Sequence, residues 1–256
     1  MENRIPTRLE NNIVKSAAII FIGTNKYANF FEGFHKAITN NFCSELNKTF
    51  FVFTDQPENE LFQKQDTNVA KVEHLEWPFI TLYRFKFMNS ICDKLANFDY
   101  VFFIDADLWP VKQISFSELF ENNKFVAVQH PGFVGRVGTF ETSLKSKATV
   151  LDKKYNLSVY RQGCFWGGES SEIIKMVKEL DENVDFDLKA NFVSCWHDES
   201  HMNKFFLKNL DDVKTLHPGY ATPQEGYEDI KEKYEMKMVH LHKDINEFPR
   251  FAGLRG

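Results

Sequence analysis

No stretch of this 256-residue chain approaches the ~20 consecutive apolar side chains that span a bilayer. The start, from Met1 to Lys15, is polar and charged and lacks the apolar core of a secretory signal. A soluble, cytoplasmic protein without a transmembrane anchor is the expectation. Cysteine is scarce: Cys43, Cys92, Cys164 and Cys195 stand apart without CxxC spacing, which suits reduced thiols better than a disulfide framework or a zinc site. Positive charge is not in excess either. With 31 Lys+Arg against 36 Asp+Glu the net charge is −5, and no basic block offers itself to nucleic acid. Internal repeats and low-complexity linkers are absent, and a 43% hydrophobic composition excludes disorder, collagen and coiled coil.

What is present is phenylalanine, 27 residues of it, and a series of short apolar runs. Ala17 to Ile22 is too short for a helix and ends in Gly23-Thr24-Asn25, so it reads as a buried strand. Phe30, Phe31, Phe34 and Ile38 carry helical spacing across residues 27–40. Further strands are expected at Thr49 to Phe53 and Val69 to Leu75, and a helix from Thr81 toward Leu95. Tyr100 to Ile104 is the strongest buried-strand signal. Strands alternating with helices imply an α/β fold with parallel strands at its centre. Beyond Pro110 come shorter strands such as Phe125 to Val128, and a helix over residues 171–180. Phe21, Phe51, Phe53, Phe102 and Phe103 read as core, whereas Phe133 and Phe165 are candidates for the walls of a ligand pocket.

Asp105 and Asp107 follow the strongest strand, and residues i and i+2 of a strand face the same side. Beyond the carboxyl ends of strands is where ligands sit in open α/β sheets, and two carboxylates there suit Mg²⁺ or Mn²⁺ holding a diphosphate. An exposed turn with two acids is the plainer alternative. In Trp196-His197-Asp198-Glu199-Ser200-His201, the i, i+4 histidines suggest a helical metal site, but the zincin pattern fails because Asp198 rather than Glu follows His197. A polar pocket presenting a carboxylate to a substrate, or a solvated helix start capped by Asp198 or Ser200, are the two readings left. Glycines in Gly163-Cys164-Phe165-Trp166-Gly167-Gly168 and in His130-Pro131-Gly132-Phe133 admit close approach of a ligand, or ordinary tight turns. Lys243 can reach a phosphate.

In order along the chain, Lys26-Tyr27, Trp77-Pro78 with Thr81-Leu82-Tyr83-Arg84-Phe85, Asp105-Ala106-Asp107, His130 to Phe133, Gly163 with Gly167-Gly168, Trp196 to Ser200 with Asn203-Lys204, and Lys243 resemble glycosyltransferase family 6. That family includes the histo-blood-group A and B transferases, α-1,3-galactosyltransferase and shorter bacterial and viral relatives. The resemblance covers residues 17–250 and implies a GT-A fold, with a Rossmann-like nucleotide-binding sheet continuous with an acceptor-binding half. The corresponding division is a polar leader (1–16) and a single catalytic domain (17–256), with a nucleotide half (17–110) and an acceptor half (111–256). It also implies transfer of galactose or N-acetylgalactosamine from UDP-Gal or UDP-GalNAc to an oligosaccharide, a fucosylated one among the candidates, in α-1,3 linkage with retention.

By that resemblance Ile22, Gly23, Thr24 and Tyr27 line the uridine site and Arg84 contacts the donor. Asp105, Ala106 and Asp107 form the diphosphate and metal site, holding Mn²⁺ or Mg²⁺. Gly163, Cys164 and Asp198 meet the donor sugar. Glu199 is the catalytic carboxylate beneath the anomeric carbon, and Lys243 closes over the diphosphate. His130, Phe133, Trp196 and Glu199 serve the acceptor. Two departures carry expectations of their own. Both DxD acids are kept, where many bacterial relatives have Asn, which implies metal dependence. Cys164 stands where Gly or Ala is common, and its size favours UDP-galactose by crowding an N-acetyl group. The rival readings are a haloacid-dehalogenase-type phosphohydrolase, which also places DxD after an apolar strand, and an inactive sugar-binding module. Trp109, where the hydrolases carry Thr or Val, argues against the first; retention of Asp105, Asp107, Glu199 and Lys243 argues against the second.

Overall fold

The computed structural model describes residues 15–151, 155 and 157–243. Residues 1–14 of the expected leader, and the chain beyond Lys243, lie outside the described residues. Four apolar runs become parallel neighbours: β1 (Ser16–Ile22), β2 (Asn47–Thr54), β3 (Thr67–Lys71) and β4 (Tyr100–Ile104). A second group joins them. β7 (Arg161–Glu169) pairs antiparallel with both β4 and β6 (Phe125–Gln129), and β6 pairs parallel with β8 (Val213–Leu216). Among the described residues the large sheet therefore has seven strands in the order β3-β2-β1-β4-β7-β6-β8. A small sheet beside it comprises β5 (Leu108–Pro110), β10 (Met238–His240) and β9 (Thr222–Pro223). The architecture is mixed α/β, as expected.

Strand alternation sends side chains to two separate cores, one on each face of the sheet. Ala17, Ile19 and Phe21 of β1 and Phe102 and Ile104 of β4 meet helix α1 (Phe31–Asn41) through Phe31, Phe34 and Ile38. On the other face Ala18, Ile20, Val101 and Phe103 meet three helices, α3 (Arg84–Asn89), α6 (Ser170–Lys189) and α7 (His197–Lys208). The phenylalanines interlock edge to face, as with Phe21 and Phe31 at 5.1 Å and Phe42 and Phe102 at 5.0 Å. Most of the Phe excess is thus core. Among the described residues no helix is long and apolar enough to cross a membrane.

Several local expectations change. The strand placed at 69–75 ends at Lys71; Val72 N–H still bonds Thr54 O at 2.9 Å, and the polar residues after it leave the sheet. The helix drawn from Thr81 to Leu95 is three short pieces, α2 (Phe79–Leu82), α3 and α4 (Cys92–Leu95). The glycine-rich 163–168 segment is neither a tight turn nor an aromatic wall but the middle of β7. Its glycines are required by neighbouring strands: a Cβ on Gly167 would lie 2.4 Å from Phe102 Cδ1, and one on Gly168 would lie 2.3 Å from Lys124 O. Phe165 and Trp166 are fully buried, so the pocket-wall role expected of Phe165 is corrected to core packing.

Trp166 stacks on Phe103 with ring centroids 5.2 Å apart. Its truncation to Ala should destabilise the fold by about 3–5 kcal/mol, the usual range for a large buried aromatic. Urea unfolding measures this directly; a loss below about 1 kcal/mol would show that Trp166 is not part of the core.

Candidate active site

The sheet order reverses between β1 and β4, because β1 continues to β2 on one side while β4 flanks it on the other. A crevice opens at such a switch point, beyond the carboxyl ends of the strands. It is a cavity of about 460 Å³ lined by Ile22, Thr24 and Tyr27 after β1, Asp105, Ala106 and Asp107 after β4, and Arg84, Trp196 and Lys243. His74 joins it, with Nδ1 2.9 Å from Thr24 Oγ1. Gly23 sits behind this lining, its N–H bonded to Phe53 O at 2.9 Å; a Cβ there would lie 2.3 Å from the Phe21 ring. Trp196, expected on the acceptor side, is part of this first cavity and is 44% exposed.

The two aspartates do not share a side by strand alternation. β4 ends at Ile104, and Leu108 N–H closes a turn onto Asp105 O at 2.9 Å. Asp105 N–H is fixed to Cys164 O on β7 at 2.8 Å. It is this turn that turns both carboxyl groups toward the cavity.

Arg84 is the hub behind the cavity. Its guanidinium is buried, lies 4.3 Å over the Phe103 ring and donates to Gly163 O at 2.7 Å. It pairs with Asp198 at 3.1 Å and with Asp105 at 3.4 Å. Burial pushes the Asp105 carboxyl up and the Arg84 charge offsets only part of that. Burial would raise Asp107 too, but His240 and Lys243 outweigh it and hold that carboxyl below the usual range. Lys243 Nζ bonds Asp107 Oδ2 and lies 4.9 Å from the Tyr27 ring centroid. Burial alone would lower the Lys243 ammonium, yet Asp107 and Tyr27 leave it raised.

Glu199 lies in the first turn of α7 and accepts the Gly163 N–H at 2.7 Å. Part of the residue is exposed while protein closes around its carboxyl group, and this burial pushes its pKa up to about 8. The Gly163 bond lowers it, the neighbouring Asp198 raises it and the Tyr160 hydroxyl beside it lowers it again. Asn203, one helical turn on, donates to Glu199 O at 3.0 Å and to Arg161 O at 2.7 Å and accepts Arg161 N–H at 2.8 Å. Helix and strand are thereby locked in register. The solvated helix start is corrected: Asp198 and Ser200 are buried, and neither caps the helix as expected, since Trp196 is the N-cap residue and has no side-chain cap bond. Ser200 Oγ instead takes the Trp196 N–H at 2.9 Å. His197 packs against Trp77 at 4.5 Å and His201 bonds Ser194 at 3.2 Å, so the two histidines do not converge.

A second cavity of about 430 Å³ meets the first at Asp105, Asp107 and Lys243, and Gln162, Gln224 and His240 are among its lining. Gln162 Nε2 lies 3.4 Å from His240 Nε2, and His240 Nδ1 is 3.7 Å from Asp107. His130 and Phe133 line neither cavity. His130 Nδ1 accepts Gly132 N–H at 2.9 Å and burial lowers its pKa to about 4, while Phe133 packs on Tyr160 at 4.9 Å. Cys164 is buried in the core, lining neither cavity. Its thiol is raised well above the usual value, chiefly by burial and then by Asp105 and Glu199.

The donor set at the junction is oxygen only. Two carboxylates complemented by phosphate oxygens and water suit Mg²⁺ or Mn²⁺. Among the described residues no three or more His, Cys, Asp and Glu side chains converge on a point, so the fit is to an ion shared with a ligand. Sequence reasoning assigned no role to His74, Tyr160, Gln162, Asn203 and His240. Asn203 had a signal, since it lies i+4 from Glu199 on a helix; the others come together only through the tertiary fold.

Residues 11–249 match the family described as Glycosyltransferase family 6. The chain is 31% identical over 192 residues to the O-antigen biosynthesis glycosyltransferase WbnI of Escherichia coli, covering 75% of this chain and 82% of that protein. It is 23% identical over 236 residues to the histo-blood group ABO system transferase 1 of Rattus norvegicus, and 24% identical over 238 residues to transferase 2 of the same organism. Those matches cover 88% of this chain and 66% and 69% of the rat proteins. With a sheet switch-point cavity at the DxD turn and a family match across nearly its whole length, this chain is a glycosyltransferase belonging to glycosyltransferase family 6.

Proposed function

We propose that the chain moves galactose or N-acetylgalactosamine from a UDP-sugar to a glycan acceptor in α-1,3 linkage, with retention and with Mn²⁺ or Mg²⁺ bound. The observation that carries this reading is the cavity lining that joins Arg84 to Asp105, Asp107 and Lys243, with Glu199 beyond it. Asp198 and Glu199 line neither cavity, but Arg84 pairs with Asp198 and donates to Gly163 O, and the Gly163 N–H holds the Glu199 carboxylate. About 460 Å³ falls within the roughly 300–1,000 Å³ of small-ligand pockets. The nucleoside takes the end formed by Ile22, Thr24, Tyr27 and His74, and the diphosphate the end formed by the DxD turn. The donor hexose lies toward Arg84 and Asp198, and the acceptor enters by the second cavity past Gln162 and His240. On this reading the halves divided at residue 110 would share the work, Trp196 and Lys243 of the acceptor half serving the nucleotide side.

Asp105 and Asp107 would hold the divalent ion, which supplies Lewis-acid charge to the departing diphosphate. The charge balance of the site favours it. The ion pairs at the DxD turn set Asp105, Asp107 and Asp198 against Arg84 and Lys243, and with Lys26 also on the lining the charges come close to cancelling, so a dianionic ligand gains from added positive charge. Lys243 turns from Asp107 to a phosphate oxygen, placing its ammonium where leaving-group charge develops. Arg84 keeps Asp198 oriented toward the sugar hydroxyls. Glu199, once ionised, faces the oxocarbenium-like carbon as the carboxylate does in retaining glycosidases, and Gly163 N–H fixes which oxygen is presented.

Glu199→Gln should lower kcat/KM for transfer on the order of a thousandfold, comparable to loss of a transition-state charge partner, with UDP binding intact. In the wild type, kcat/KM should rise with pH toward about 8 as Glu199 ionises. Stability moves the other way: from the ordinary Glu range up to about 8 the folded chain binds more protons than the unfolded one, so stability falls as pH rises. Glu199→Gln should remove that fall, and thermal melts across this range check it; parallel curves for both proteins would refute the assignment.

EDTA should abolish transfer, with recovery on adding Mn²⁺, and Asp105→Asn and Asp107→Asn should each leave a small fraction of the rate. Full activity in EDTA would rule out the metal. Donor choice is read by a competition assay between UDP-Gal and UDP-GalNAc; because Cys164 lines neither cavity, the crowding expected of its thiol is corrected, and Cys164→Gly should leave the donor ratio unchanged, a shifted ratio overturning that correction.

A further inference from the structure

Leu144 is 84% exposed, yet the backbone that presents it is firmly held. Ser146 N–H closes a turn on Ser143 O at 3.1 Å, placing Leu144 and Lys145 at its tip. Thr149 Oγ1 donates to Ser143 O and to Ser146 O, Ser143 N–H is taken by Glu141 at 2.7 Å, and Lys147 N–H by Asp187 at 2.7 Å. Ser146 Oγ donates to the other oxygen of buried Asp187. A leucine held out on a rigid turn has no fold-internal function. Beside it Phe186 of α6 is 51% exposed, with Lys147 Nζ 4.3 Å from its ring centroid.

The surroundings of these two apolar side chains are cationic in a chain of net charge −5. Lys145, Lys147 and Lys189 are exposed. Lys204 Nζ bonds Lys147 O at 2.7 Å, and its ammonium is lowered by burial and then by the charges of Lys208 and Lys147. Nearby acids of α6 are engaged elsewhere, Glu179 with Lys208 and Asp185 with Lys86, each at 3.1 Å. Glu182, one helical turn before Phe186 on the same helix, is an exposed acid.

We propose that the Ser143–Lys147 turn, with Phe186 and the surrounding lysines, docks on an anionic lipid bilayer. The shape selects this occupant: a convex tip with one leucine and flanking lysines inserts among headgroups, where lysine stems lie along apolar surface and their ammonium groups meet phosphate. The same segment is linked to the site through two intervening residues. Glu141, which holds the turn, also accepts Cys195 N–H at 2.8 Å, one residue before Trp196 of the first cavity. Docking would therefore set the active site at a fixed height above the lipid surface. The inference stands on this patch and does not depend on which sugar is transferred.

Co-sedimentation with vesicles of phosphatidylcholine containing a quarter phosphatidylglycerol tests it. The whole chain should bind these vesicles, bind pure phosphatidylcholine far more weakly, and lose affinity as salt is raised. Lys145→Gln and Lys147→Gln should each weaken binding about fivefold, the equivalent of ~1 kcal/mol per lysine. Leu144→Ser and Phe186→Ser should weaken it several-fold without changing the melting temperature or transfer to a soluble acceptor. Equal binding to both vesicle types, or variants that bind as the wild type does, would overturn the proposal. So would sedimentation showing a dimer that Leu144→Ser dissociates, since the patch would then belong to a second copy of the chain.

Discussion

The carboxyl end of the large sheet is organised around one buried guanidinium. Removing Arg84 from water costs several kcal/mol even after relaxation, and the cost is offset only if its donors are satisfied in good geometry. The chain meets most of this demand from four directions, Asp105 after β4, Asp198 on α7, the Gly163 carbonyl on β7 and the Phe103 face beneath, while the buried Nε has no hydrogen-bond partner. A lysine could not do this, because it has no planar fork to reach a carbonyl and two carboxylates while lying flat on a ring. Each partner thereby acquires a fixed place. Without the charge at Arg84, buried Asp198 and half-buried Asp105 would have no cation between them, and both the DxD turn and the start of α7 would lose their reference point.

Glu199 inherits its position from this arrangement and is held at some energetic disadvantage. A helix N-terminus favours carboxylates, and Gly163 N–H adds a direct bond, but burial and Asp198 outweigh both. His197 adds local strain, with φ of 49° at the first residue of α7, a region that a side chain with a Cβ rarely adopts. Strain of this kind persists only where the surroundings over-determine it. Here Asn203 ties α7 to β7 through two hydrogen bonds to Arg161 and holds the first turn of α7 through a third to Glu199 O, and the aromatic stack of Trp166 under Phe103 keeps the strands beneath Arg84 from shifting. The phenylalanine-rich core thus serves the site indirectly, as a stiff base for an unfavourable cluster of charges.

How much of this could be read in the sequence follows from how local each signal is. β1, β2 and β4 are unbroken apolar runs with turn residues behind them, and they sit where expected because both faces of a central parallel strand are buried. β7 was obscured by its glycines, which answer to Phe102 on β4 and to the Lys124 carbonyl just before β6, contacts without any trace in residues 161–169 themselves. The helix over 81–95 breaks because α3 must seat Arg84 against the sheet, a tertiary requirement that the spacing of Phe85 and Met88 does not express. Ile22, Tyr27, Asp105, Asp107 and Lys243 could be brought to one place by motif order, and the cavity lining does contain them. His74, Tyr160 and His240 carry no such pattern and depend on loops whose course only the fold determines.

The acidic balance of the chain is most informative at the junction of the two cavities. Each cation there is already spoken for: Arg84 by Asp105 and Asp198, Lys243 by Asp107. On the proposed function, a nucleoside diphosphate entering this site would meet no uncommitted positive charge on Arg84 or Lys243. Lys243 is the one of the two that can move, since it is partly exposed at the rim and shared by both cavities, whereas Arg84 is buried. It can serve the diphosphate only when another cation takes over the neutralisation of Asp107, because an abandoned Asp107 carboxylate beside a phosphate would be repulsive by several kcal/mol at an effective dielectric constant of about 20. Charge balance, rather than the DxD spacing alone, is therefore the ground on which a divalent ion is proposed for this pair of aspartates.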